Sequence, residues 1–378
     1  MRAITNGKII TENGILEDHI LLFSDRIEEI IPQNDFKNIT VDEIINANGD
    51  YISPGLIDLH IHGVGGYDTM DGTFDALNTI SKVVAQEGVT AFLPTTMTME
   101  KKKIIHAMNN IRENINKVQG AKILGCHMEG PFISKKYKGA QCEEYIMKPD
   151  DFLIEGITDI IKIITLAPEE DEGNKFIKEM NKRGIVLSVG HSNATFDETI
   201  QGIEAGISYA THTFNGMRGL HHREPGVVGA IFSKDIYCEL IADKIHVHKG
   251  FFDAFIKING KNKVILVTDS MRAGCMNCGE YELGGQRVLV DESSARLVDG
   301  TLAGSILKLK DGVKNIKDNT SYELKDIIKM ASLNCAHVLG LENEIGSIKK
   351  GKHADIILFN DEFKVNHTII NGKSVYKR

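Results

Sequence analysis

The sequence predicts an α/β protein, a (β/α)8 TIM-like barrel with a small β-sandwich domain formed by both chain ends. Three observations predict it. Eight short apolar or β-branched runs recur through the middle of the chain, stretches of helical spacing separate most of them, and both ends carry short alternating runs punctuated by Asn-Gly. Its 378 residues suit one large core and one small one, because single cores stop growing at roughly 250 to 300 residues. The expected division is 1–52 for the first part of the sandwich, 53–347 for the barrel and 348–378 for the rest of the sandwich.

At the N-terminus, Asn6-Gly7 and Asn13-Gly14 each lie between β-prone runs. Asn-Gly tolerates the positive φ of a type I′ turn, so both predict hairpins. Asn371-Gly372 repeats the pattern near the C-terminus, and chain ends often lie close enough to share a domain.

The eight runs are LIDLHIH, VTAFLPTT, KILGCHMEG, IKIITLAPE, IVLSVGHS, ISYATHTF, IYCELIAD and KVILVTDS. Near-continuous apolar strands alternating with helices indicate a parallel sheet covered on both faces. The first intervening helix is read from Phe74, Leu77, Ile80, Val83 and Val84, opened by Thr73 and stopped at Gly88.

Composition narrows the function. Apolar residues make up 42% and charged residues 25%, with a net charge of −8, and no Lys/Arg stripe interleaved with aromatics suggests a nucleic-acid partner. No apolar run reaches the ~18 residues of a membrane span, and the N-terminus lacks a signal-peptide core, so a cytoplasmic location is expected. Cys126, Cys142, Cys238, Cys275, Cys278 and Cys335 are too sparse for a disulfide framework and read as thiols.

Polar residues fall at the C-terminal strand ends, the barrel face that carries chemistry. They are His60 and His62, Thr95 and Thr96, His127 and Glu129, Pro168 and Glu169, His191, His212, Asp243 and Asp269. His60 and His62 alone are ambiguous, since i and i+2 share a strand face whether or not they hold an ion. With Glu129, His191, His212 and Asp269 on the same rim they make four imidazoles and two carboxylates, donors suited to Zn²⁺ or Fe²⁺.

The segments PGLIDLHIHG, HMEGPF, GHSNAT, THTFNGM, HHREPG, TDSMRA, DGTLAGSILKL and GSIKKGKHADII, in order from about residue 50 to 358, resemble the amidohydrolase superfamily, and within it the deacetylases of N-acetylated hexosamine 6-phosphates. The resemblance implies a metal-dependent hydrolase that converts N-acetyl-D-glucosamine 6-phosphate to D-glucosamine 6-phosphate and acetate, in amino-sugar catabolism and cell-wall sugar recycling. The 4-epimeric galactosamine substrate is the alternative, and a non-catalytic scaffold of the same fold is a further one. By the same resemblance, Glu129, His191 and His212 hold a primary metal, while His60 and His62 hold a second with Glu129 bridging. Asp269 is implied as general acid/base and possible metal contact, with two ions per subunit.

The implied substrate contacts are Ala140, Gln141, Asn215, Gly216, Arg223, His246, Leu302, Ala303 and Gly304. Arg223 is expected to meet the phosphate and His246 a sugar hydroxyl, and a homodimer is implied, with the phosphate that Arg223 meets belonging either to its own subunit or to the neighbour. Two departures stand out. Gln141 occupies the place of a histidine that polarises the carbonyl in some members, a role the second ion could take over, and Lys244 stands where many relatives have glycine.

Overall fold

The computed structural model describes residues 1–150 and 153–378. The eight apolar runs form eight parallel strands: Leu56–Ile61, Val89–Thr96, Cys126–Glu129, Ile161–Leu166, Val186–Val189, Ile207–Ala210, Tyr237–Ile241 and Val264–Val267. Each pairs with its successor, and a bridge between Ile61 and Ser270 brings the first strand against the eighth. A short segment, Lys122–Ile123, precedes the third strand. Between them Gly125 takes φ 146°, where an added Cβ would lie 2.7 Å from the Ile160 carbonyl oxygen, so the chain can turn there only without a side chain.

Helices cover the outside of the barrel. The first, Phe74–Gln86, is capped by the Thr73 hydroxyl, which accepts from the Ala76 N–H, a contact worth about 1 kcal/mol. Leu77, Ile80 and Val84 are buried from it, each contributing roughly 1.5 to 3 kcal/mol. Phe74 is exposed, because the buried stripe begins one turn later. A second apolar cluster, with Ile57, Leu59, Leu93, Ile163, Tyr209, Ile241 and Ile265, joins the strands to the helix Leu333–Val338.

Both chain ends build the sandwich. One sheet has the order Ile27–Pro32, His19–Phe23, Arg2–Thr5, Glu43–Asn46; the other runs Lys373–Lys377, Val365–Ile370, Ile356–Phe359, Tyr51–Pro54, Lys8–Ile10, Ile15–Leu16. Ile4, Leu21, Phe23, Ile52, Ile356, Leu358 and Ile369 pack together in its core. The strand Tyr51–Pro54 leads directly into the first barrel strand, Leu56–Ile61, which ties the sandwich to the barrel wall.

The turns divide. Asn371-Gly372 makes the expected tight hairpin, with φ 47° and 70°. Asn13-Gly14 also lies in a hairpin, but in a four-residue loop closed by the Thr11 N–H on the Gly14 carbonyl. Asn6-Gly7 makes no hairpin. The strands on either side of it lie in different sheets, so its left-handed Asn6 (φ 55°) turns a corner between layers; the hydrophobic partners of each strand, not the turn residues, decide the pairing.

A three-stranded antiparallel sheet, Gly279–Leu283, Gln286–Val290 and Ala295–Leu297, follows the eighth barrel strand. Leu283, Val288 and Ala295 pack on Met97, Ala140, Met271 and Ala303, seating this sheet on the catalytic rim. Among the described residues all six cysteines are free thiols and no helix is long and apolar enough to cross a membrane.

Candidate metal centre and substrate cavity

Six side chains from five strand ends meet at the rim. Glu129 is at the centre. Its Oε1 lies 3.1 Å from His191 Nε2 and 3.0 Å from His212 Nε2, while its Oε2 lies 3.2 Å from His62 Nε2. Asp269 Oδ1 is 3.2 Å from His62 Nε2 and 3.4 Å from His60 Nε2. Two sets of three ligand atoms result, Glu129 with His191 and His212, and His60 with His62 and Asp269, with Glu129 lying between the two.

Backbone conformation contributes to this convergence. His191 (φ 48°), His212 (φ 28°) and Asp269 (φ 48°) all have positive φ, which turns each side chain inward just past its strand. Left-handed backbone is uncommon and strained for such residues, and the strain falls on three of the six.

The cluster draws positive charge. Burial pushes the Glu129 carboxyl up, but the imidazoles of His60, His191 and His212 outweigh it and hold the group well below the usual carboxylate range. Burial also disfavours charge on His60 and His62, yet Glu239, Asp269 and Glu129 raise His60 to about 9, and hydrogen bonds to Asp269 and Glu129 hold His62 well above its ordinary value. Asp269 is pushed up by burial and pulled down further by His60 and His62, to about 2. A divalent cation satisfies the same field. The donors fit one: His60 Nε2 is buried with no hydrogen-bond partner, and the Nε2 atoms of His191 and His212 face each other at 3.1 Å beside Glu129 Oε1. Nitrogen lone pairs meeting at a carboxylate are a metal-ligand arrangement.

The other rim residues hold these in place. His62 Nδ1 faces the Thr95 carbonyl at 3.2 Å, and His191 Nδ1 faces the Tyr137 carbonyl at 2.9 Å, contacts that present each Nε2 to the centre. Glu169 accepts from the Ser192 hydroxyl and the Asn193 N–H, fixing the loop after His191. His127 also lies close to His60 and Glu239, but both its nitrogens are engaged. Its Nδ1 faces the Leu59 carbonyl and its Nε2 the Thr165 hydroxyl, and burial with the neighbouring His60 lowers it to about 4.

Above the centre opens a cavity of about 190 Å³, lined in part by His62, Glu129, His191, His212 and Asp269. Of the expected substrate contacts, Ala140, Gln141, Asn215, Gly216, His246, Leu302 and Gly304 line it. Asp243, two residues past the seventh strand, orients His246, accepting from its Nδ1 at 2.6 Å and from two backbone N–H groups. Ala303 faces the other way, packing into the apolar cluster under the three-stranded sheet. Arg223 does not reach this cavity; its loop turns outward, leaving the guanidinium exposed against His222 Nε2 at 2.7 Å. Among the described residues, no Lys or Arg lines the cavity.

Two positions gain a physical reason. Gly216 (φ 57°) is required by His191, because an added Cβ would lie 2.9 Å from its Nδ1. Lys244 is exposed at φ 72°, a conformation glycine adopts without cost, so the chain carries local strain two residues before His246. Sequence reasoning missed Glu239, wholly buried in the seventh strand, and the cavity residues Met97, Gly139, Leu283 and Thr301. A lone carboxylate inside an otherwise apolar strand was the available signal for Glu239.

The profile of the amidohydrolase family matches residues 51–375. The chain is 40% identical to the N-acetylglucosamine-6-phosphate deacetylase of Lysinibacillus sphaericus, covering 87% of this chain and 86% of that one. It is 34% identical to the N-acetylgalactosamine-6-phosphate deacetylase of Escherichia coli O157:H7, covering 97% of each. Among solved structures, it is similar to the N-acetylglucosamine-6-phosphate deacetylase of Pasteurella multocida, with a TM-score of 0.93, 31% identity and 99% of both chains covered.

Proposed function

The chain belongs to the amidohydrolase family, and from that premise we propose that it is a deacetylase hydrolysing N-acetyl-D-glucosamine 6-phosphate to D-glucosamine 6-phosphate and acetate. The carrying observation is Glu129, whose Oε1 lies beside His191 and His212 and whose Oε2 lies beside His62, at the floor of a cavity with room for a sugar.

Glu129, His191 and His212 would hold one divalent ion, and His60, His62 and Asp269 a second, Zn²⁺ or Fe²⁺ by donor type. Such an ion supplies Lewis acidity, which acidifies water and draws charge from an amide oxygen. Asp269 does the proton work. Its carboxylate takes a proton from water as the water oxygen adds to the acetamide carbon, and returns it to the nitrogen as the C–N bond breaks. The amine then leaves neutral, and acetate remains. His246, held by Asp243, presents its other nitrogen to a sugar hydroxyl, and the backbone at Asn215 and Gly216 borders the phosphate end.

A phosphate dianion needs a cation, and among the described residues the cavity lining contains neither Lys nor Arg. Arg223, exposed with an unengaged face, suits a neighbouring copy's cavity, since a guanidinium fork matches phosphate oxygens. The working unit is therefore a homodimer. We place the reaction in the cytoplasm, because a phosphorylated sugar does not cross a bilayer unaided.

The test is acetate release from N-acetylglucosamine 6-phosphate and from its galactosamine epimer, each with and without a chelator. Chelator-sensitive release from the gluco sugar supports the proposal; a faster rate on the galacto epimer reassigns the substrate, and no release from either sugar with metal restored sinks it.

A further inference from the structure

Glu239 projects from the strand Tyr237–Ile241 into the space behind the metal centre and is completely buried. One oxygen, Oε2, makes both of its contacts: His60 Nδ1 at 2.9 Å and the backbone N–H of His212 at 2.7 Å. A carboxylate oxygen has lone pairs enough to accept both hydrogen bonds at once.

A neutral imidazole has one N–H and one lone pair, and the partner of the first decides where the second points. With Nδ1–H directed at Glu239, the lone pair of His60 lies on Nε2. That atom faces Asp269 Oδ1 at 3.4 Å and Glu129 Oε1 at 3.5 Å and has no other partner. His127, whose ring lies 4.7 Å from that of His60, has both nitrogens engaged elsewhere. The same carboxylate oxygen anchors the backbone of His212, which holds a strained positive φ.

We infer that Glu239 is a positioning residue for the second metal ion: it fixes the His60 imidazole with Nε2 toward the centre and ties it to His212, so that the His60, His62 and Asp269 set binds at full strength only while this carboxylate is present. The inference rests on the proposed metal centre and extends it to a group that touches no metal. Outer partners of this kind typically change metal affinity by about 10- to 100-fold when removed.

The experiment titrates metal-free protein with Zn²⁺ against a chromogenic chelator, giving stoichiometry and both dissociation constants, for wild type, Glu239→Gln and Glu239→Leu. Glutamine keeps an acceptor but loses the charge; leucine loses both. Wild type is expected to take two ions. In Glu239→Gln the weaker ion should loosen by about 10-fold with the tighter one unchanged, and in Glu239→Leu by about 100-fold, with kcat falling and KM held. Thermal melts check folding, and if Glu239→Leu does not fold, Glu239→Gln decides alone. Unchanged constants in a folded Glu239→Gln, or equal loosening of both ions, would overturn the inference. A wild-type protein that takes no zinc removes the metal centre itself, and one that takes a single ion removes the second site; both results are distinct from a failure of Glu239.

Discussion

Gln141 grips Glu129 from the cavity side: its Nε2 donates to Glu129 Oε2 at 2.6 Å while its Oε1 accepts the Thr98 N–H at 2.7 Å. Both ends of the amide are thereby committed, so Gln141 acts first on the bridging carboxylate and keeps only one N–H for a substrate. Gln141→Leu should take one partner from Glu129 Oε2 and leave the buried Thr98 N–H without one. We expect kcat to fall by about 10- to 100-fold and stability by about 1 to 3 kcal/mol, measured by steady-state kinetics and urea unfolding. Unchanged kcat would show that this contact is incidental.

Because Gln141 is held this way and cannot carry charge, polarisation of the acetyl carbonyl would fall to a second ion in the proposed centre. Replacing His60 and His62 together by Asn should reduce bound metal from two ions to one and cut turnover by at least about 100-fold, the scale of losing one electrostatic stabiliser. Metal analysis and kinetics on the same preparation check it. A near-normal rate with a single ion would break the link between Gln141 and the histidine pair.

Gly216→Ala places a methyl group 2.9 Å from His191 Nδ1, on a backbone at φ 57°. The His191 ring must move, and its contact with the Tyr137 carbonyl breaks with it. The expected result is a strain cost of about 1 to 3 kcal/mol and a loss of affinity for the tighter-bound ion, read by thermal melts and zinc titration. Wild-type zinc affinity would mean that the loop yields and His191 stays.

His367, buried in the sandwich with its Nε2 2.6 Å from the Ser374 hydroxyl, has its pKa lowered by burial and by Lys377. Below an unfolded value near 6.5 the unfolded chain therefore binds the extra proton first. Stability is fully present above about pH 6.5 and is lost as pH falls through that value, by at most about 1.4 kcal/mol per pH unit. His367→Gln should flatten this slope between about pH 6.5 and 5, measured by denaturant unfolding across that range. An identical slope in the variant would assign the acid sensitivity elsewhere.

The legibility of these features follows their physics. Strands of a parallel barrel are buried on both faces, so LIDLHIH and KVILVTDS stand out as apolar runs, and chemistry at their C-terminal ends marks itself by polarity. Glu239 escaped because it lies inside a strand, where only the packing of the barrel interior brings it His60 from the first strand and His212 from beyond the sixth as partners. The three-stranded sheet at Gly279–Leu297 went unread because it buries one face only, against Met97 and Met271 from distant segments. Asn6-Gly7 misled for a related reason: a turn signal states that the chain bends, while the pairing partner is chosen by the core. Positive φ at His191, His212 and Asp269 has no residue signature at all, since the surrounding fold imposes it.

The outward position of Arg223 bears on assembly. In a two-fold dimer each cavity would combine Asp269 of one chain with Arg223 of the other. Subunits carrying Arg223→Ala and subunits carrying Asp269→Asn should each be nearly inactive alone. When they mix at random, half of the dimers are hybrids, and one cavity of each hybrid has both native residues, so about a quarter of wild-type activity should return. Mixing is verified by mass spectrometry of the intact dimer, and activity by acetate release. Hybrids that form without any recovery would mean that each cavity is complete within its own chain, and the phosphate would then need a cation other than the partner's arginine.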